Sequence, residues 1–181
     1  MYCSLFTTDH GVGAVYATEV GVVAVEIPDL SRVDSGKRMD APKGEASPLT
    51  IRAADRLQEY FAGGRPDFHD IPVDLGQLPL FRQNVLQIIR HLSYGEISSY
   101  GRVAQECGSP GAARALGGAL AANPVPIIIP CHRVIAADGR LTGFSAPGGE
   151  TSKRALLLME GVEFKGMQVV LDKSVLQRNF S

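Results

Sequence analysis

Cys131, His132 and Arg133 stand together in the run IIIPCHRVIAADG, residues 127 to 139. A thiol attacks as its thiolate, and with a pKa near 8.5 only a few per cent is ionised at neutral pH. An imidazole next in sequence and a guanidinium one further on are the residue types that take up a proton or favour an anion. The chemistry on offer is nucleophilic attack by sulfur. The same residues suit other roles. A lone cysteine is commonly a small buried hydrophobe. A Cys/His pair also serves thiol proteases and amidases, which need an oxyanion hole and a base oriented by a third group. No second Cys or His lies at metal-ligand spacing. The three isoleucines read as a buried strand that ends by presenting the thiol. In an extended segment neighbouring side chains point to opposite faces, so His132 would need a bridge such as a water to reach the sulfur.

The elements that must hold these residues are readable on both sides of them. Residues 1 to 28, with GAVYATEVGVVAVEI, read as strands joined by tight turns. The polar stretch from Ser31 to Ser47, punctuated by Gly and Pro, reads as a loop. From Pro48 the pattern turns helical, with Leu49, Ala53, Leu57, Tyr60 and Phe61 at three- and four-residue steps before GGRP stops it. A second unit starts at LFRQNVLQIIRHL, where Phe81, Val85, Ile88, Ile89 and Leu92 share one helical face. Ser98 or Ser99 is positioned to cap a short helix ended by Gly108. A helix over GAARALGGALAA follows and closes at Asn123-Pro124, and two short helices around a Gly/Ser/Pro turn predict a helix-turn-helix.

That second helix is nearly bare. Arg114 is its only long polar side chain and Leu116 and Leu120 its only bulky apolar ones, while Gly117 and Gly118 each cost roughly 1 kcal/mol relative to Ala. Close packing on another helix would offset that cost. So would close approach to DNA: a helix with ordinary side chains is about 10–12 Å across and the minor groove about 6 Å wide. Charge is unevenly placed. Residues 1–79 carry seven Lys and Arg against twelve Asp and Glu, and residues 80–140 carry six against three. The basic bias of the second part is compatible with a local nucleic-acid footprint, although the net charge of −1 excludes a protein held to DNA by charge alone. Three widely spaced cysteines exclude a disulfide scaffold. No apolar run reaches membrane-span length and no signal peptide is evident, so a cytoplasmic protein, nuclear if eukaryotic, is expected.

NPVPIIIPCHRVI, residues 123 to 135, resembles the active-site signature of the O6-alkylguanine-DNA alkyltransferases, or methylated-DNA–protein-cysteine methyltransferases. GEISSYGRVA, ARALGGALAANP, GRLTGF and LLLMEGV occur in the order that family shows, across residues 80 to 163. The resemblance implies an α+β fold: a ribonuclease H-like N-terminal domain (1–79), with an antiparallel sheet and helices, and a mostly helical, winged-helix-like DNA-binding domain (80–181) containing the helix-turn-helix. It implies single-turnover repair by direct damage reversal, in which an alkyl group moves from O6-alkylguanine, with O4-alkylthymine a further candidate, to Cys131. A thioether is not cleaved by water, so each molecule would react once. The partner would be double-stranded DNA bound through its minor groove by a monomer, with no cofactor.

Residue by residue, the resemblance makes Cys131 the acceptor thiolate and His132 the group that takes its proton through a water. Glu160 would hold the imidazole, and Asn123 would fix the Pro-rich turn. Tyr100 would assist extrusion of the nucleotide, Pro126 would line the alkyl pocket, and the Val134 carbonyl and Ser145 N–H would read the guanine edge. Arg114 would fill the gap in the base stack, with Ala113, Ala115, Gly117 and Gly118 giving the close approach. Extrusion is required because the thiolate cannot reach its carbon inside an intact stack. Phe144 stands where many relatives carry Tyr, and Ala146-Pro147 lengthens a glycine loop, so both bear on the size of alkyl group accepted. Cys3 and His10 are too few to carry the N-terminal zinc site of some relatives, so no metal is expected. A damage sensor that binds without transfer would lack the acceptor cysteine. A helix-turn-helix regulator would need major-groove side chains that the second helix does not have.

Overall fold

The computed structural model describes residues 1–32 and 44–171. The loop expected from Ser31 to Ser47 therefore lies largely outside the described residues. The chain opens as an antiparallel meander of β1 (Tyr2–Thr8), β2 (Gly11–Ala17) and β3 (Val22–Glu26), in that spatial order. Gly13 pairs with Phe6 across β1 and β2, and a Cβ there would collide with the Phe6 ring, so glycine lets that ring close over the sheet. Helix α1 (Pro48–Phe61) is entered through a capping box. Ser47 Oγ accepts from the Thr50 N–H at 3.2 Å and Thr50 Oγ1 accepts from the Ser47 N–H at 2.9 Å, with Pro48 at the first helical position. Its buried face, Thr50, Ala53, Ala54, Leu57 and Tyr60, has the spacing of one helical stripe and covers β1 and β2.

The second half is mostly helical. Helix α2 (Leu80–Ile89) packs on α3 (Tyr100–Glu106) and α4 (Ala113–Ala121), which also pack on each other. Ser99 caps α3, its hydroxyl accepting from the Arg102 N–H. Just before α3, β4 (Ser98–Ser99) pairs in parallel with β5 (Val134–Ile135). Helix α5 (Gly149–Met159) and a hairpin of β6 (Phe164–Lys165) and β7 (Gln168–Val169) complete the described part. One cluster of buried apolar residues runs from Phe6 and Val15 through Leu57 and Tyr60 to Val85, Leu116 and Ile127–Ile129, so sheet and helices share a core. No helix among the described residues is long and apolar enough to cross a membrane.

The strand expected over Ile127–Ile129 is not formed. All three isoleucines are buried, but they make a turn in which Pro126 bridges to Ile129 and Ile127 has φ 72°. Prolines at 124, 126 and 130 remove the N–H groups a ladder would use. A β-branched residue at positive φ costs on the order of 1–3 kcal/mol and persists only where its surroundings over-determine it.

Candidate active site

The surroundings that fix this turn begin with Asn123. Its Oδ1 accepts from the Val125 N–H at 3.0 Å, and its Nδ2 donates to the Ile129 carbonyl at 2.8 Å and to Cys131 Sγ at 3.2 Å. The sheet adds a clamp, the Val25 N–H donating to the Pro124 carbonyl at 2.8 Å. The chain then enters one turn of 3-10 helix, Cys131–Arg133, rather than an extended segment. Cys131 lines a cleft together with Asn123, Pro126, Phe144 and Ser145, while His132 and Arg133 are buried in the core behind it.

Behind the thiol, five donors converge on the buried carboxylate of Glu160. Its Oε1 accepts from His132 Nε2 at 2.8 Å, Tyr60 OH at 2.7 Å and an Arg133 terminal nitrogen at 2.8 Å. Its Oε2 accepts from Arg133 Nε at 2.8 Å and the Gly95 N–H at 3.0 Å. Gly95 has φ 73°, and a Cβ there would lie 2.8 Å from the Glu160 carbonyl, so only glycine brings this amide so close. Arg133 also donates to the Leu92 carbonyl at 2.6 Å. Burial pushes the Glu160 carboxyl up, but His132 and the Arg133 guanidinium outweigh it and hold it well below the usual carboxylate range. Burial lowers His132 more than Glu160 raises it, so the imidazole is neutral at pH 7. An ionised carboxylate only accepts, so Nε2 carries the hydrogen and Nδ1 is the bare nitrogen. That Nδ1 is buried and has no hydrogen-bond partner among the described residues.

The thiol itself is pushed up by burial, against the Asn123 donor and the charge of Lys153. Lys153 is fully buried, and its Nζ donates to the carbonyls of Val134 at 2.6 Å and Thr142 at 2.8 Å, 5.8 Å from the centre of the Tyr100 ring. Burial pulls its ammonium down to about 8. Tyr100 OH donates to the same Thr142 carbonyl at 2.9 Å, and Ser145 Oγ donates to the Ala121 carbonyl.

Two residues of this cluster, Tyr60 and Lys153, have no role in the sequence pattern, and Arg133 shows there only as a neighbour of the thiol. Tyr60 is indistinguishable from core on the apolar stripe of α1. Lys153 had a signal: it lies three and four residues before the buried Leu156 and Leu157, on the inner face of α5. On α4, Ala113, Arg114, Ala115 and Gly118 are exposed and Gly117 is half-buried, away from the thiol cleft. Among the described residues no three or more His, Cys, Asp or Glu side chains gather as a metal set.

Residues 80–162 match the family model described as 6-O-methylguanine DNA methyltransferase, DNA binding domain. A methylated-DNA–protein-cysteine methyltransferase of Mycobacterium tuberculosis is 49% identical over 108 residues, 60% of this chain, and the match spans 63% of that relative's length. One of Haemophilus influenzae is 35% identical over 156 residues, 82% of this chain and 86% of that protein. A DNA base-flipping protein of Thermus thermophilus is 40% identical over 80% of this chain and 96% of its own. The crystal structure of M. tuberculosis OGT in complex with DNA superposes with a TM-score of 0.71 at 34% identity, covering 88% of this chain and 92% of that one. Similarity of this extent reaches beyond the residues around the thiol into the sheet and α1, and the chain belongs to the methylated-DNA–protein-cysteine methyltransferase family.

Proposed function

We propose that the protein repairs O6-alkylguanine in duplex DNA by moving the alkyl group to Cys131. The observation that carries this is the bare Nδ1 of a neutral, buried His132 next in sequence to the thiol, its other nitrogen held by Glu160. The Cys131 S–H gives its proton to Nδ1 through a bridging water, and Glu160 stabilises the imidazolium that forms. The thiolate bonds to the alkyl carbon from the side opposite O6. The carbon–O6 bond breaks, its electrons go to guanine, and guanine regains a proton from the relay. The thioether product does not hydrolyse, so the reaction runs once per molecule.

The remaining roles follow the family motif. Asn123 holds the turn and points a donor at sulfur. Pro126 and Phe144 line the alkyl pocket, the Val134 carbonyl and Ser145 N–H read the guanine edge, and Tyr100 supports the extruded nucleotide. Arg114 fills the vacated stack while Ala113, Ala115, Gly117 and Gly118 let α4 enter the minor groove. The chain acts as a monomer, without metal or cofactor, with a ribonuclease H-like unit up to residue 79 and a winged-helix-like unit from residue 80. Work on chromosomal DNA puts it in the cytoplasm, or in the nucleus of a eukaryote.

The second role to separate from transfer is lesion binding alone, against which Cys131 stands. Incubation with an oligonucleotide containing O6-methylguanine, followed by intact mass and peptide mapping, separates the two. Transfer adds one methyl to the Cys131 peptide and nothing to a Cys131→Ser variant that still binds DNA. Lesion-selective binding with no mass change would assign the sensor role.

A further inference from the structure

Lys153 has no part in the transfer steps above, yet it is a fully buried cation on the inner face of α5. It belongs to none of the ion pairs among the described residues. Taking a charge out of water is unfavourable, and burial pulls this ammonium down to about 8. A leucine or methionine would fill the same space without that penalty. What the ammonium touches is two backbone carbonyls, Val134 at 2.6 Å and Thr142 at 2.8 Å. The bond to Val134 anchors it to the segment that follows the thiol turn. The bond to Thr142 ties it to the stretch that runs on to Phe144 and Ser145 in the cleft wall.

The Thr142 carbonyl has a second donor, Tyr100 OH at 2.9 Å. A carbonyl oxygen has two lone pairs, so both are taken. Glycine next in sequence makes this possible: Gly143 has φ 67°, and a Cβ there would lie 2.9 Å from the Tyr100 hydroxyl oxygen. A phenol has one O–H, and here the backbone holds it. To donate to an extruded base, Tyr100 has to let go of Thr142. Thr142 lies at the surface, where water replaces a lost donor in the free protein. An extruded base packed beside it shuts that water out, and a carbonyl with no donor would then keep the phenol where it is. With Lys153 in place the carbonyl retains one donor after the phenol leaves.

We infer that Lys153 is a positioning residue that releases Tyr100: its ammonium stays on the Thr142 carbonyl while the Tyr100 hydroxyl turns from that carbonyl to the extruded base. The inference rests on the base-supporting role of Tyr100 and the transfer role of Cys131. Tyr100 thus has two positions, one on the backbone and one on the base, and Lys153 makes the exchange between them nearly balanced.

The test is a double-mutant cycle in single-turnover transfer from a duplex oligonucleotide containing O6-methylguanine, with wild type, Lys153→Met, Tyr100→Phe and the double variant. Lys153→Met leaves the phenol on Thr142 and slows transfer by at least about ten-fold, with duplex affinity unchanged. In the Tyr100→Phe background there is no hydroxyl to release, and the same substitution slows transfer by less than about three-fold. Melting temperatures report folding, and Lys153→Leu carries the same expectation where the Met variant does not fold. Equal slowing in both backgrounds would mean that Lys153 acts on the thiol or the fold without Tyr100, and would overturn the assignment. So would an unchanged rate in Lys153→Met, or failure of both apolar variants to fold, which would make the lysine purely structural. These three outcomes leave the alkyltransferase role intact. No transfer of methyl by the wild type would overturn that role, and the assignment of Lys153 with it.

Discussion

Around Glu160, five donors crowd one carboxylate in a place shut off from solvent, whereas along α4 the exposed residues Ala113, Ala115 and Gly118 present almost nothing. The first region is tolerated because each donor meets the carboxylate, and removing the carboxylate leaves buried donors unsatisfied. The second is tolerated for the opposite reason. A Cβ at Gly118 would meet nothing within 4 Å, and one at Gly117 only the Tyr100 ring at 4.0 Å. Helix packing by α4 is done by Leu116, Ala119 and Leu120, which are buried. The outward small residues are therefore not explained by close packing on a neighbouring helix, one of the two roles open to them from composition. One region is sensitive to loss and the other to gain of side chain.

Substitutions that exchange these sensitivities test the contrast, and the largest effect belongs to the carboxylate. Glu160→Gln leaves the Arg133 guanidinium buried without its anion and is expected to cost about 3–5 kcal/mol in chemical denaturation. The acid limb should change with it. A carboxyl held below its unfolded value of about 4.3 contributes stability that is present above that pH and lost as pH falls further. The wild type should lose stability steeply below about pH 4, and the Gln variant less so. On the other side, Arg114→Ala should leave stability unchanged but slow repair of duplex DNA by about ten-fold or more, with little effect on transfer from a free O6-substituted guanine base. Equal losses on both substrates would remove Arg114 from base extrusion.

Smaller effects sharpen the same contrast. Tyr60→Phe removes one of the five donors and should lower stability by about 1–2 kcal/mol. It also frees Glu160 to pull harder on the His132 N–H, which raises the imidazole's proton affinity and should shift the pH profile of transfer. A purely structural tyrosine would leave that profile in place. Gly118→Ala should stabilise the protein by up to about 1 kcal/mol, since helix propensity improves and nothing is displaced. Destabilisation by that one methyl, seen as a lower melting temperature, would mean that the exposed face of α4 is packed after all.

How much of this was legible depended on whether the signal was local. The stripe of α1, the cap at Ser99 and the bare character of α4 depend on residues close in sequence, and the structure has all three. The order of motifs brought out Asn123, Cys131, His132 and Glu160, which lie in one connected site. The run IIIP misled because buried β-branched residues look alike in a strand and in a turn. The three nearby prolines and the positive φ of Ile127 decide for the turn. The pairing of β4 with β5 is two residues long and has no pattern to read. Tyr60 and Lys153 were missed because a helical stripe says which side chains face inward and nothing about what they face.

The hydrogen bond from Tyr60 to Glu160 joins residues 100 apart in the chain, and Arg133 precedes its carboxylate by 27. A ribosome adding about 5–20 residues per second makes Arg133 roughly 1–5 s before Glu160. Through that interval His132 and Arg133 have no anion to gather around, and a guanidinium without a partner stays in water. The Leu92 carbonyl is available to Arg133 earlier, but the charge that balances the guanidinium comes only with Glu160. A chain that stops before Glu160 carries the cysteine but not the carboxylate that holds its imidazole.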